Sequence, residues 1–372
     1  MTALSHHREG SGEPLVLIHG IGSRWQLWQP LLPLLRSQFD VAALDLPGFG
    51  ASPLSGASPP SDGPLPSGGP PLPGGPPLSG ASPLPGGPLP SGGPPLAGPS
   101  PLAGPSPLAG GPSLSGGPSP SDASGLPGGP LPSGGPPLSG ASPPSGGPPL
   151  SGGPPLSGSS SLSGSAGDAC DVHAFADAVT RFAAEAFPSS PSFHVAGSSL
   201  GGGVALELGR RGLARSVTAF APIGFWGPIS RRWCQSSVSA ARLLGRLTRP
   251  ALPALAATAP GRIALFGMFF GHPARLDPAA CIADVDALVA APGFRATRAA
   301  FATHQFRDPG ALHDIPVTVA WGTRDAILPA FQSRRAAAAL PSARHVRLPG
   351  CGHLPFSDAP STCATLIHTT AT

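Results

Sequence analysis

Gly197-Ser198-Ser199-Leu200-Gly201 lies between an apolar run, Phe193 to Ala196, and a stretch of helical character, Gly202 to Arg211. The pattern G-x-S-x-G needs this setting of strand, sharp turn and helix. The turn strains the backbone at its serine and lifts the hydroxyl clear of the strand end. Positions beside it must be small, because strand and helix close on them. Two further residues follow in order: Asp325, after the apolar run Val317 to Trp321, and His353, after His345 to Leu348. A nucleophile, an acid and a base, each after a strand-like run, define the reading that the rest of the chain must meet.

Outward from that motif the chain alternates. Pro14 to Ile18 is a continuous apolar run, as in a strand buried on both faces. Trp25 to Arg36 carries apolar residues at helical spacing and predicts a covering helix in spite of Pro30 and Pro33. Phe39 to Leu44 is the next strand, ending in Asp45 to Ser52. Asp171 to Phe187 places Val172, Phe175, Ala176, Val179, Phe182 and Ala183 on one helical face. Arg215 to Ala221 reads as a strand, and 222–313 as Ala-, Leu- and Arg-rich helices. Strands at Val317 to Trp321 and Ala343 to Leu348 then alternate with helices near Phe331 to Leu340 and Ser361 to His368. This rhythm predicts an α/β fold with a mostly parallel sheet covered by helices.

One segment breaks the rhythm. Most of the 55 prolines and 53 glycines fall between Pro53 and Gly167, in variants of Ser-Gly-Gly-Pro-Pro-Leu and Gly-Ala-Ser-Pro-Leu. Its charges are Asp62 and Asp122, and its leucines are isolated. Proline removes backbone donors and glycine raises the entropy of the unfolded chain. Such a stretch buries too little apolar surface to order itself, so disorder with polyproline II character is expected. Glycine does not recur at every third residue, which excludes collagen. A tolerated solvated expansion carries the most weight; a proline-rich ligand for a protein partner and a tether at the site entrance are the functional alternatives.

The formal net charge is +4, and the arginines stand in ones and twos, as at Arg210-Arg211 and Arg334-Arg335. A nucleic-acid footprint requires clustering, so no nucleic-acid partner is expected. The chain holds neither lysine, asparagine nor tyrosine, a bias that fits a GC-rich bacterial genome. Five cysteines form neither a CxxC nor a zinc spacing, which fits a reducing compartment and no metal. The first residues contain no apolar leader segment, and no run is long enough to span a bilayer, so a cytoplasmic protein is expected.

Taken together, these motifs resemble the α/β-hydrolase superfamily, in its serine-hydrolase form with a helical cap. The resemblance covers about Gly10 to Ser52 and Gly167 to the C-terminus. It implies Ser199 as nucleophile, His353 in Gly350-Cys-Gly-His-Leu-Pro as its base, and Asp325 in Trp321-Gly-Thr-Arg-Asp as the acid that orients the base. His19-Gly20-Ile21-Gly22 matches the oxyanion segment, so the backbone N–H groups of Ile21 and Leu200 are the expected oxyanion donors. The family's first antiparallel strand is expected to be short or absent here. A serine at the elbow sets the chain apart from dehalogenases and epoxide hydrolases of this fold, which use aspartate.

The expected division is 1–52 and 168–221 as core, 53–167 as disordered insertion, 222–313 as helical cap and 314–372 as the rest of the core. In the cap, Phe225, Trp226 and Phe269 are candidates for an apolar substrate pocket. The expected activity is hydrolysis of an ester or related acyl bond of a small apolar substrate through an acyl-enzyme, without cofactor. The same triad also serves C–C hydrolases, cofactor-free haloperoxidases or perhydrolases, and acyltransferases, and a non-catalytic binding protein acting through the repeat is the rival of another class. Asp45 is a rival acid whose Leu-Pro-Gly-Phe-Gly context reads as a structural turn, and His19 reads as a loop-shaping hydrogen bonder.

Overall fold

The computed structural model describes residues 4–54 and 170–372. The expectations for 53–167 therefore lie almost wholly outside the described residues. Among the latter, seven strands form one sheet in the order β1-β3-β2-β4-β5-β6-β7. They are β1 His6–Gly10, β2 Glu13–Ile18, β3 Phe39–Leu44, β4 Phe193–Ser198, β5 Ala214–Phe220, β6 Val317–Gly322 and β7 Arg344–Leu348. Only β1 runs antiparallel, paired to β3 from His6 opposite Leu44 to Gly10 opposite Asp40. The remaining pairs are parallel.

Strand β2 shows why its sequence is apolar throughout. Leu15 and Leu17 enter one buried cluster with Trp28, Phe220 and Phe356. Val16 and Ile18 enter the other, with Phe175, Val204 and Val217. Side chains alternate between faces with a period of two, and helices cover both. On one face lie α2 Val172–Ala186, α3 Leu200–Arg210 and α9 Gln332–Ala339; the other is covered by α1 Leu32–Leu35 and α10 Pro360–Ala371. Helix α2 starts where Asp171 accepts a hydrogen bond from the Ala174 N–H at 2.7 Å, an N-cap that satisfies one of the orphan donors of the first turn. The expected stripe from Val172 to Ala183 is its buried face.

One element differs from expectation. The single helix predicted over Trp25 to Arg36 is instead a 3-10 turn, Trp25–Trp28, followed by the one-turn α1. Pro30 and Pro33 supply no N–H and disrupt continuous i→i−4 bonding. Trp28, Leu31, Leu32 and Leu35 still reach the core. Of the two expectations for the first antiparallel strand, short or absent, the former holds: β1 is present and five residues long. Its sequence, His-His-Arg-Glu-Gly, carries no apolar alternation because it is an edge strand. Backbone pairing holds it, and Arg8 ties it to Asp40 and to the Ala186 carbonyl.

Between β5 and β6 the chain builds α4 Pro228–Thr248, α5 Leu252–Ala257, α6 Ala259–Phe266, α7 Pro278–Ala290 and α8 Phe294–Ala300. These helices have a small core of their own, with Leu252, Ala256, Phe266, Phe270, Cys281 and Val285 buried together. Arg24 pairs with Asp284 of α7 at 3.2 Å, and the Gly293 N–H donates to the Gly48 carbonyl at 3.0 Å. Both contacts join this helical layer to loops at the C-terminal ends of β2 and β3.

Candidate active site

All the residues singled out from sequence motifs stand at the C-terminal edge of the parallel strands: His19 to Gly22 after β2, Ser199 after β4, Asp325 after β6 and His353 after β7. Sheet order reverses between β2 and β4, where ligands of open α/β sheets bind.

Ser199 has φ 56° and ψ −112°, a backbone conformation rare for any residue with a side chain. The turn is over-determined. The Ser199 N–H donates to the Phe220 carbonyl at 2.9 Å, and its carbonyl accepts from Gly203 at 3.0 Å and Ile223 at 3.1 Å. The glycines of the motif have separate reasons. A Cβ on Gly197 would collide with the Gly201 carbonyl, where the helix folds back over its strand. A Cβ on Gly201 would collide with the carbonyls of Ile18 and His19, where the helix meets β2.

Asp325 and His353 meet across the ends of β6 and β7. His353 Nδ1 lies 2.8 Å from Asp325 Oδ2. The other carboxylate oxygen accepts from the N–H groups of Ile327 at 2.9 Å and Leu328 at 2.8 Å. A carboxylate can only accept, so the shared proton belongs to Nδ1 and the free Nε2 is left as the basic nitrogen. Both side chains are almost wholly buried, His353 at 4% and Asp325 at 0% exposure. Cys234 of α4 is also buried close by; burial, with Asp325 as a smaller cause, pushes its thiol up to about 12.

The segment His19 to Gly22, which the sequence marks as the candidate oxyanion turn, lies against the serine. A Cβ on Gly20 would stand 3.2 Å from Ser199 Cβ. His19 is fully buried, and burial pulls its imidazole down from its ordinary value. Its Nδ1 donates to the Gly20 carbonyl at 2.7 Å and its Nε2 accepts from the Leu46 N–H at 3.0 Å. The ring thereby fixes the turn before Ile21. Leu200 is the first residue of α3, where helix N–H groups have no partner within the helix. Asp45, the rival acid, accepts from Trp25 at 2.7 Å and Ala51 at 2.9 Å and so ties two loops together.

An apolar cavity opens beside this edge, under the helical layer. Ile21, Gly22, Leu27, Val238, Phe266, Phe269, Leu288 and Leu354 line it; Ile21 and Gly22 belong to the turn after β2, and Leu354 follows His353 in the chain. Phe269 therefore faces this cavity. Phe225 and Trp226 are buried in the main core, against Phe306 and Phe301, and the Trp226 indole donates to the His304 carbonyl at 3.0 Å. Sequence reasoning missed Asp358, a buried acid in the apolar turn Leu354 to Pro360, whose one sequence signal was its charge in that setting. Among the described residues there is no cluster of side chains suited to hold a metal ion, and no helix is long and apolar enough to cross a membrane.

Comparison with known proteins agrees with this architecture. A 47-residue stretch is 47% identical to the pimeloyl-[acyl-carrier protein] methyl ester esterase of Legionella pneumophila (strain Lens), spanning 13% of this chain and 20% of that protein. A similar stretch is 43% identical to the (E)-2-((N-methylformamido)methylene)succinate hydrolase of Acinetobacter baylyi, over 13% of this chain and 18% of that protein. The matches thus span about a fifth of those relatives' length. Among solved structures, an esterase from Exiguobacterium antarcticum superposes with a TM-score of 0.54 at 12% identity, over 100% of this chain and 96% of that one. The profile of the alpha/beta hydrolase family matches residues 15–366. With that match over nearly its whole length, and with the sheet order described above, the chain belongs to the alpha/beta hydrolase family.

Proposed function

We propose that this chain is a serine hydrolase that cleaves an ester or related acyl bond of a small apolar substrate through an acyl-enzyme. The observation that carries the reading is the 2.8 Å contact of His353 with Asp325, at the same sheet edge as a serine held at φ 56°. A serine hydroxyl needs a base to become a nucleophile. In this reading His353 Nε2 takes the Ser199 proton as Oγ bonds to the substrate carbonyl carbon. The carbonyl π electrons move to oxygen, and the N–H groups of Ile21 and Leu200 receive the negative charge. Each such donor is worth about 3 kcal/mol in a water-excluded site. Collapse expels the leaving group, which takes the proton from His353. Water repeats the sequence and frees the acid. Asp325 holds the ring in the required tautomer and stabilises its charged form.

The apolar wall around Phe269 and Leu288 supports an apolar acyl or alcohol group. The esterase name of the matched Legionella relative supports ester cleavage. The test is covalent labelling by a fluorophosphonate, read as intact mass, in wild type and Ser199→Ala. The expected result is one adduct in wild type and none in the variant, followed by turnover of short apolar esters. A folded wild type that takes no label refutes the reading. Labelled enzyme that turns over acyl donors only with peroxide or an alcohol acceptor replaces hydrolysis by transfer.

A further inference from the structure

The loop that carries His353 is held from below by a residue that the proposed chemistry does not use. The Asp358 side chain is 1% exposed. Its Oδ2 accepts from the Gly352 N–H at 2.9 Å, one residue before His353. The same oxygen accepts from the Gly271 N–H at 2.7 Å, and Oδ1 accepts from the His272 N–H at 2.9 Å. Gly271 and His272 lie between α6 and α7, in the helical layer over the site. One buried carboxylate thus joins two segments that are 80 residues apart in sequence.

The neighbourhood is built for this junction. A Cβ on Gly271 would collide with the Gly350 carbonyl, and a Cβ on Gly352 would stand 2.5 Å from the Phe269 carbonyl and 2.7 Å from Phe270 Cα. The Leu354 N–H donates to the Phe269 carbonyl at 2.9 Å. Phe269 and Phe270 both line the apolar cavity. The segment that shapes the substrate wall and the loop that carries the base are therefore packed backbone to backbone, with Asp358 as their shared acceptor. His272 Nδ1, 3.4 Å from Oδ1, completes the surroundings of the carboxylate.

We propose that Asp358 is a positioning residue that locks the Phe269–His272 segment of the helical layer to the His353 loop, so that the substrate wall and the general base move as one body. This rests on the serine-hydrolase reading for its kinetic consequence, although the structural coupling does not depend on it. Three N–H donors need acceptor oxygen on both sides of the group. Asparagine offers one oxygen and turns an NH2 toward at least one of them, leaving buried donors opposed.

The first test needs no variant. In native-state hydrogen exchange on the full chain, the amides of Gly271, His272 and Gly352 are expected to exchange through one opening, with a common free energy and a common denaturant dependence. Separate openings overturn the coupling. In Asp358→Asn all three amides are expected to exchange at least tenfold faster, and fluorophosphonate labelling of Ser199 to slow at least tenfold. Asp358→Glu, which keeps the carboxylate, is expected to label faster than Asp358→Asn even if both melt at the same temperature. Equal labelling by wild type and Asp358→Asn, equal labelling by the two variants, or protection retained at Gly271 and His272 overturns the proposal. A wild type that takes no label refutes the hydrolase reading instead, and the exchange experiment still decides the coupling.

Discussion

Replacing Ser199 by glycine removes the proposed nucleophile and is expected to raise the melting temperature. With φ 56° and ψ −112°, the residue lies outside even the left-handed helical well that side-chain-bearing residues occasionally visit. Strain of this kind costs about 1–3 kcal/mol, and the ψ value argues for the upper end. Glycine adopts such a conformation freely but loses about 1 kcal/mol more to unfolded-chain entropy. Removing the buried Cβ forfeits a further ~0.8 kcal/mol. About 1 kcal/mol of stabilisation remains. The proper reference is Ser199→Ala, which also lacks the hydroxyl but keeps the strain. For a domain of this size, Ser199→Gly is expected to melt about 2–4 °C above Ser199→Ala by differential scanning calorimetry. Neither variant takes the fluorophosphonate label. If the glycine variant melts at or below the alanine variant, the turn is not strained by its serine and the argument from the backbone fails.

Asp325→Asn is expected to keep the two bonds from Ile327 and Leu328 on its oxygen, turn its NH2 toward His353 and so stabilise the wrong tautomer. The expected loss is on the order of 10⁴ in kcat with little change in melting, measured on any ester the wild type turns over; a loss under tenfold refutes the assignment. All five cysteines are buried, and burial pushes Cys281 and Cys351 up to about 11 as well as Cys234 to about 12. At pH 8 a disulfide reagent is expected to find no fast thiol in the native chain and five after denaturation; one native thiol reacting at a free-thiol rate contradicts this. Burial alone would raise the Glu207 carboxyl, but hydrogen bonds from Arg210, Arg211 and His173 outweigh it and hold it at about 2. Its folded pKa is depressed, so its contribution is present above the unfolded value near 4.5 and is lost as pH falls toward about 2. Urea unfolding at pH 7 and pH 3 is therefore expected to show Glu207→Gln well below wild type at pH 7 and nearer to it at pH 3.

Much of this was legible in the chain, for reasons that vary by element. The run from Phe39 to Leu44 has the bounds of β3, because a strand buried on both faces is apolar over most of its length, here with Asp40 near its start as the exception. The motif at Ser199 could be read because close backbone contact demands glycine at 197 and 201. Strand β1 was harder to see, since an edge strand needs backbone partners more than side-chain patterning. The helix at Trp25 was overextended because apolar spacing survives where prolines interrupt the hydrogen bonding. Asp358 showed only its charge in an apolar turn, for a different reason: its partners are backbone N–H groups, which any sequence supplies. Phe269, Phe225 and Trp226 were all legible as aromatics suited to a pocket, but that Phe269 alone of the three lines the cavity depends on how α4, α6 and α7 pack.

The order of the sheet also has a consequence for how the molecule comes together. Strands β1, β3 and β2 are drawn from the first 44 residues, and β4 to β7 from residues after 192. They join along one seam, where Leu15 to Ile18 pair with His194 to Gly197. Contacts across it, such as Glu13 with His194, bridge 181 residues of sequence. Pairings so distant form late in folding, and until they form each half presents an open strand edge to other chains. The proposed nucleophile and its oxyanion turn sit on either side of this seam. Pulse-labelled exchange during refolding is expected to protect β5 and β6 before β2 and β4 acquire their mutual bonds, with probe reactivity appearing only at that last step. Protection of the β2–β4 bonds ahead of β5 and β6 would rule out this order. Reactivity would then be a report on completed assembly, since neither half of the chain carries the site alone.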